Sequence, residues 1–442
     1  MNYARKIAID VLEEVFNKKA YSNIALGKSL NKSELDAKDK GLVTEIVYGT
    51  IKYKYTIDCI LDHYLKNGIK KIDSVVLNIL RISIYQIKYL DKIPQFAVVN
   101  EAVELAKRRS VGAAKLVNGI LRNYLRQSEV SYYDDNNFVD ELCFTYSFPK
   151  WLVEMFISQY KPDEVIKILE GLNIRPSVTV RVNNLKISYE EAFEKLIEHG
   201  YDIKEGEVCP EAIVIKRGSN IEDNPLFLHG LISVQDESAM MVAPIMDLSE
   251  NIKILDLCSA PGGKTCHIAE IMNNTGKIFA FDLHEKKLGL IKENLDRLGI
   301  KNVSCSRLDA SKYLDKLAAE ADRILIDVPC SGIGIIRKKP EIKWTKDIII
   351  TKSLIDIQRN IMINAAKYTK VGGKLIYSTC TLNKTENEDN INWFLEKHLQ
   401  FILEPIYYGN FENVIYHNEG YVTILPNENM DGFFIAKMKR CW

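Results

Sequence analysis

Two cysteines close apolar, strand-like runs. Cys330 lies in Asp327-Val328-Pro329-Cys330-Ser331-Gly332 after the run 323–328, and Cys380 lies in Ser378-Thr379-Cys380-Thr381 after the run 374–377. Upstream is a glycine-bearing turn, Asp256-Leu257-Cys258-Ser259-Ala260-Pro261-Gly262-Gly263-Lys264-Thr265. In an open parallel sheet, ligands lie outside the carboxyl ends of the strands. The three segments are therefore expected to face one crevice. The chemistry they suit is covalent attack by a thiol on an electrophilic ring, beside a nucleotide-like cofactor.

Small residues and glycines in the turn let the backbone approach a ligand at a helix N-terminus. Asp282 follows Gly263 by 19 residues, the spacing at which an acid meets a ribose diol. Asp309 ends a third candidate strand and is expected to reach the adenine side of the crevice, and Asp327 ends a fourth. A nucleotide-cofactor oxidoreductase would carry GxGxxG, which is absent. Gly262-Gly263-Lys264-Thr265 is only the tail of a Walker loop, which argues against an ATPase.

The elements that must position these groups alternate strand and helix. Candidate strands are 253–257, 277–281, 303–307, 323–328, 374–378, 421–425 and 433–439, with helical patterns between most of them, as in a doubly wound sheet. Residues 131–240 read as a small α+β, RRM-like connector: helix 149–172, strand 178–182, helix 188–199 and strand 212–216. A further helix of small and sulfur-containing residues follows at 239–246, with Asp236 as its cap. Residues 1–130 read as helical throughout, with apolar spacing over 4–16, 40–54, 56–65, 72–90, 95–110 and 112–126. The expected division is 1–130, 131–240 and 241–442.

The 442-residue chain is long enough for such a set of domains. Its 59 Lys and Arg balance 59 Asp and Glu, but unevenly: residues 1–128 hold 22 against 13, a local balance of +9. A basic helical part suits a polyanion partner, with Lys107, Arg108, Arg109, Arg122 and Arg126 as candidate phosphate contacts. No run approaches the ~18 apolar residues of a membrane span, and Asp10, Glu13 and Glu14 do not suit a signal peptide. Nine cysteines, odd in number and without CxxC, point to reduced thiols in a cytoplasm and away from disulfides or zinc. The seven histidines lack ligand spacing, so no metal is expected. Cys59, Cys143, Cys209, Cys305 and Cys441 read as packing residues, as do Cys258 and Cys266 despite their place near the turn.

Several of these segments resemble known families. Asp39-Lys40-Gly41-Leu42-Val43-Thr44-Glu45, Tyr48-Gly49-Thr50, the run 94–103 and Lys115-Leu116-Val117-Asn118-Gly119-Ile120-Leu121-Arg122 resemble the helical RNA-binding domain of the NusB family. The turn, the strand-end aspartates and the two cysteines together resemble the RNA 5-methylcytosine methyltransferases of the NOL1/NOP2/Sun family. Residues 337–344 and Asp431-Gly432-Phe433-Phe434 agree with that. The resemblance covers essentially the whole chain, with small departures at Ser259 and Thr381. It implies a multidomain protein: an all-α NusB-like domain, the small α+β connector and an α/β Rossmann-like class I methyltransferase domain.

It further implies S-adenosylmethionine as cofactor, held by Cys258, Ser259, Ala260, Pro261, Gly262, Gly263, Lys264, Asp282, Asp309 and Asp327. Cys380 is then the nucleophile and Cys330 the residue of product release. Asp327 would hydrogen-bond the cytosine edge. Two thiols point to RNA, and the NusB-like part tilts the choice from tRNA to 16S rRNA, with cytosine 967 as target. The partner is that rRNA, naked or in an early ribosomal particle, with no membrane, no metal and a monomeric enzyme. The rival from another class is a non-catalytic RNA-binding scaffold, which would not need both cysteines and the turn.

The charge distribution gives a first prediction. The logarithm of the RNA affinity should fall linearly with the logarithm of salt concentration, and Arg108→Gln and Arg122→Gln should each lower the slope by about one. Filter binding across a salt series measures this; an unchanged slope removes the residue from the RNA contact.

Overall fold

The computed structural model describes residues 2–127, 130–417 and 420–442. The chain divides into two compact units. One holds residues 1–165 and 336–347, the other residues 166–335 and 348–442.

The first unit is helical: α1 (Asn2–Lys18), α2 (Ser22–Asn31), α3 (Ala37–Lys52), α4 (Lys54–Tyr64), α5 (Ser74–Tyr89), α6 (Gln95–Lys107), α7 (Val111–Arg126), α8 (Phe138–Tyr146) and α9 (Lys150–Gln159). Local signals start many of them. Asp36, Asp73 and Ser110 each accept the backbone N–H three residues on, which satisfies orphan donors at the starts of α3, α5 and α7. Val11, Leu12, Ile46, Ile51, Leu80 and Val117 are among the buried core. The candidate phosphate ligands Lys107, Arg108, Arg109 and Arg126 lie at the exposed ends of α6 and α7, and Arg122 is exposed on α7. Arg109 is tied to Asp73 at 2.9 Å.

Residues 336–347 complete this unit from a distant part of the sequence. Glu341 is fully buried and accepts from the Ser22 backbone N–H and hydroxyl at 3.1 and 2.7 Å. Trp344 Nε1 donates to the Ile51 carbonyl. Lys343 is buried, donates to the carbonyls of Lys52 and Ser147, and lies 3.6 Å from the centre of the Phe148 ring. Burial, and then the Lys52 charge, push the Lys343 pKa well below the usual lysine value.

α10 (Pro162–Gly171) carries the chain into the second unit. The connector follows: β1 (Val178–Val182), α11 (Tyr189–Glu198), β2 (Asp202–Glu205), β3 (Ala212–Arg217) and β4 (Ile232–Val234), in an antiparallel sheet of order β2-β3-β1-β4. Ser188 caps α11 by accepting from Glu191 N. One sheet face packs Val180, Val182, Ile213 and Ile215 with Ala192 and Leu196 of α11.

The larger sheet is built from β5 (Lys253–Asp256), β6 (Lys277–Asp282), β7 (Val303–Arg307), β8 (Ala321–Asp327), β9 (Thr369–Thr379), β10 (Phe401–Leu403), β11 (Val414–His417), β12 (Tyr421–Ile424) and β13 (Phe433–Arg440). Its order is β11-β12-β13-β9-β8-β5-β6-β7, with β10 beside β13. β7, β6, β5, β8 and β9 run parallel, and β13 is antiparallel to β9. The helices α12 (Gly263–Ile271), α13 (Glu285–Leu298), α14 (Ile348–Tyr368) and α15 (Glu388–Lys397) complete it. Sequence order reverses between β5 and β8, which makes a switch-point crevice at their carboxyl ends.

The connector is joined to the cofactor-turn helix by a buried ion pair. Arg181 of β1 is wholly buried and grips Glu270 of α12 through two bonds of 2.9 and 2.7 Å. Its other nitrogen donates to the Gly263 carbonyl at 3.1 Å and to Gln235. The face of the connector sheet that an RRM offers to bases through stacked aromatics here carries Thr179, Arg181, Ala212 and Val214, all buried. That face is buried and is tied to α12 through Arg181.

The fold class is the expected one, with local corrections, and the helical unit runs past 130 to residue 165 and takes in 336–347. Helix 149–172 is two helices, because Pro162 lacks the N–H that would continue the first. Helix 239–246 is instead two short helical turns, Glu237–Met240 and Pro244–Met246. α2, β2, β4, β10 and β11 were not expected from the sequence. Among the described residues no helix is long and apolar enough to cross a membrane.

Glu341→Ala should strand the buried Ser22 donors and cost about 1–3 kcal/mol. Hydrogen exchange at α2 together with the thermal unfolding midpoint tests this. Unchanged protection at α2 would mean that the segment does not secure the helical unit.

Candidate active site

The parallel register of β8 and β9 sets Asp327 opposite Ser378. Each strand then turns into a cysteine-bearing loop on the same side of the sheet. Cys330 Sγ and Cys380 Sγ lie 3.2 Å apart, and both thiols are free. Hydrogen bonding with Cys380, and then burial, hold the Cys330 thiol well above its usual pKa. Gly334 seals the junction: its N–H donates to the Cys380 carbonyl at 2.9 Å and its carbonyl accepts from Gly432 N at 3.0 Å. A Cβ there would lie 2.0 Å from the Gly432 oxygen, so only glycine fits.

Beneath the sulfurs lies an ion pair. Asp327 Oδ2 accepts from Lys264 Nζ at 2.7 Å, and Oδ1 accepts from Ser378 Oγ at 2.8 Å. Lys264 also sits 5.0 Å from the centre of the Phe433 ring. Burial opposes the Lys264 charge, but Asp327 and then Cys380 favour it, and its pKa is raised.

The cofactor turn leaves β5 and enters α12. Ser259 is buried, with N and Oγ both donating to the Phe281 carbonyl at 2.8 Å, which ties the turn to β6. The Ala260-Pro261 peptide is cis, and the Pro261 carbonyl accepts from Asn294. Gly262 has φ +103°, a backbone that favours glycine, and opens α12. Gly263 offers its carbonyl to Arg181.

A cleft of about 220 Å³ lies against the turn, lined among others by Cys258, Ala260, Asp282, Asp309, Asp327 and Pro329. Asp282 accepts from His284 N at 2.9 Å, which orients its carboxylate. Asp309 accepts from Ser311 N and Oγ at 3.2 and 2.6 Å; the Ser311 hydroxyl most strongly lowers its pKa. Burial among Asp256, Asp327 and Asp282 pushes the Cys258 thiol up, so it lines the cleft as a neutral thiol. The cleft thus has an apolar floor and three acids at strand ends, which fits a nucleoside bearing hydroxyl and amino donors. Of the expected cofactor residues, Cys258, Ala260, Asp282, Asp309 and Asp327 line it. Ser259, Pro261, Gly262 and Gly263 shape the turn, and Lys264 pairs with Asp327.

Comparison with known proteins agrees with this geometry. The model of the family described as 16S rRNA methyltransferase RsmB/F matches residues 243–439, a NusB family model matches 2–126, and a RsmF/B-like ferredoxin-like domain matches 148–222. A Bacillus subtilis (strain 168) protein named "Probable ribosomal RNA small subunit methyltransferase B" is 37% identical over 99% of this chain and 98% of its own. The chain belongs to the RsmB/F family. A Shewanella oneidensis relative, ribosomal RNA small subunit methyltransferase B, is 31% identical over 98% of each chain. The crystal structure of PH0851 superposes with a TM-score of 0.82 at 28% identity, covering 98% of this chain and 97% of that one. That of NSun6 from Pyrococcus horikoshii with SFG has a TM-score of 0.61 at 25% identity, covering 67% of this chain and 99% of that one.

Several groups of this RsmB/F site were not singled out from sequence. Asp256, at the end of β5, is fully buried and accepts from Thr265 Oγ1 at 2.6 Å. Glu386, Gln358 and Ser331 form a buried network behind the two thiols. Gln358 lies within α14 and Glu386 in a loop, and only long-range pairing reveals these residues.

Burial raises the Asp256 pKa to about 7. The folded state therefore holds this proton while the unfolded chain has lost it, so stability falls as pH rises from about 4 to 7 and levels off above. Asp256→Asn keeps the acceptor for Thr265 and should flatten that fall. Denaturation midpoints from pH 4 to 8 measure it; an unchanged pH slope would show that Asp256 is ionised in the folded protein.

Proposed function

We propose that this RsmB/F protein methylates carbon 5 of a cytosine in 16S rRNA, position 967, through a covalent bond between Cys380 and the base. The observation that carries the reading is the pair of thiols 3.2 Å apart above the Lys264–Asp327 ion pair and beside the acid-lined cleft. The names of the relatives support the rRNA substrate. The SFG of the NSun6 structure, an S-adenosylmethionine analogue, supports that cofactor. In this reading residues 1–130 bind RNA, the connector sheet within 131–240 braces the enzyme and 241–442 carry the chemistry.

S-adenosylmethionine, when bound, supplies an electrophilic methyl group. Cys258 to Lys264, Asp282, Asp309 and Asp327 would hold it. Carbon 5 of cytosine is a poor nucleophile, and a thiolate bonded to carbon 6 turns the ring into an enamine. The attacking sulfur must be ionised, and free cysteine titrates near ~8.5. In this reading Cys330, whose pKa is held well above its usual value by the bond with Cys380 and by burial, is the neutral partner, and Cys380 attacks with the Lys264 ammonium as its nearby cation. Asp327 hydrogen-bonds the amino edge of the base and favours its protonated form. Once the methyl group is in place, a base takes the carbon 5 proton, the electrons of that C–H bond restore the ring double bond, and Cys380 leaves as a thiolate, with Cys330 assisting this release.

The two roles predict different phenotypes. Cys380→Ala should abolish turnover and form no covalent RNA complex. Cys330→Ala should attack and methylate, then stall as an adduct that survives denaturing electrophoresis with labelled rRNA. An adduct from Cys380→Ala and none from Cys330→Ala would exchange the roles. No adduct from either, with methylation intact, would end the covalent reading.

A further inference from the structure

Glu386 is wholly buried in the loop between β9 and α15. Its carboxylate collects donors from three separate segments. Ser331 gives both its backbone N–H, to Oε2 at 2.9 Å, and its hydroxyl, to Oε1 at 2.6 Å. Gln358 of α14 donates to Oε2 at 3.0 Å, and Asn383 to Oε1 at 3.3 Å. The Ser331 hydroxyl also meets Thr381 Oγ1 at 2.7 Å. Ser331 is the neighbour of Cys330, and Thr381 is the neighbour of Cys380.

The rest of the network holds the carboxylate itself. The Glu386 carbonyl accepts from the Tyr377 hydroxyl at 2.5 Å and from Asn390 at 3.2 Å, and Asn390 also donates to the Gln358 side-chain oxygen at 2.8 Å. Gln358 in turn donates to the Pro329 carbonyl at 3.0 Å. The residues on both sides of Cys330 are thus tied to one carboxylate system, which is anchored in the loop that follows Cys380.

We infer that Glu386 is the positioning residue of the thiol pair: a buried carboxylate clamp that fixes the Cys330 turn against the Cys380 turn and so sets the sulfur–sulfur separation. Hydrogen bonds to a carboxylate are short and strong, and a buried one admits few alternative geometries. The ladder of β8 and β9 ends at Asp327 and Ser378; beyond it the Gly334–Cys380 backbone bond ties the loops on one side of the cysteines, and the carboxylate system holds the residues adjoining the sulfurs. Glu386 touches neither sulfur and acts through Ser331, Thr381 and Gln358. Its negative charge also contributes to keeping Cys330 a neutral thiol, after the hydrogen bond with Cys380, burial and the Cys380 charge. This inference rests on the two-thiol reading above.

Glu386→Gln tests it. The amide keeps one acceptor but turns a donor towards a group that already donates, so the clamp opens without removing bulk. The rate at which diamide couples Cys330 and Cys380 into a disulfide, followed by peptide mass mapping, reports their proximity whatever the reaction mechanism. Diamide takes up the two electrons and two protons that the thiols lose. In Glu386→Gln that coupling should slow by about tenfold, and kcat should fall by about a hundredfold, as for a small misplacement of reacting groups. The KM for S-adenosylmethionine should stay within about twofold, since Cys258, Ala260, Asp282 and Asp309 do not take part in the clamp and Pro329 meets it only through its backbone carbonyl. Ser331→Ala, which removes one donor, should slow coupling less, by about threefold.

Coupling and kcat within about twofold of wild type in Glu386→Gln would overturn the clamp. If Glu386→Gln loses cofactor binding and fails to fold, Ser331→Ala decides, and unchanged coupling there overturns it. An expected adduct pattern in the cysteine variants with unchanged coupling removes only the clamp. Loss of that adduct pattern removes the two-thiol reading, whatever the coupling shows.

Discussion

Everything at the catalytic crevice hangs on the parallel pairing of β8 with β9. Parallel neighbours end on the same side of a sheet, so the loops that follow them emerge together. The pairing of Asp327 with Ser378 fixes how far each loop has travelled when it delivers its cysteine. A slip of one residue would move one sulfur by roughly 3.3 Å along the strand and turn alternate side chains to the other face. Asp327 would then lose Ser378, and the Lys264 ammonium would lose its counter-ion. The side-chain bond between Asp327 and Ser378 therefore reports the same register that the backbone sets.

Several buried charged groups of the second unit have partners from distant segments. Arg181 and Glu270 join the connector to α12. Glu237 is fully buried and receives the backbone N–H groups of Glu207, Val208 and Cys209. His267 pairs with Glu211 at 2.8 Å. Removing one partner of such a pair is costly, whereas the intact pair contributes little net stability. Their value is geometric. The connector sheet is held at one place on α12, and α12 begins at the turn that meets the cleft.

Much of this was legible in the sequence because the signals were local. The run 303–307 is the strand it was read as, and β5, β6, β8 and β13 differ from their expected limits by a few residues at the ends. Their apolar runs are bounded by turn residues, so periodicity was enough. α2 escaped because Ser22–Asn31 carries Ser22, Asn23, Gly27 and Ser29 around a short apolar stripe. β4 and β10 have three residues each, too few for a pattern. Pro162 divided a helix whose apolar spacing continues through it. The two cysteines and the strand-end acids were readable because a strand end followed by a reactive residue is a local arrangement. Glu386 was not, since its meaning lies in Ser331 and Gln358, 55 and 28 residues away.

The membership of residues 336–347 in the helical unit bears on how the chain is made. Synthesis proceeds from the N-terminus, and early domains ordinarily close as they emerge. Here the helices through α9 leave the ribosome with the Ser22 donors, the Ile51 carbonyl and the face of Phe148 still waiting for Glu341, Trp344 and Lys343. The unit with the most local contacts is thus the one whose last piece arrives late, after the connector and the first strands of the catalytic sheet have been translated. Closing that long loop ties completion of the helical unit to the segment translated just after Cys330. A nascent chain that stops short of residue 336 holds neither a finished helical unit nor a thiol pair.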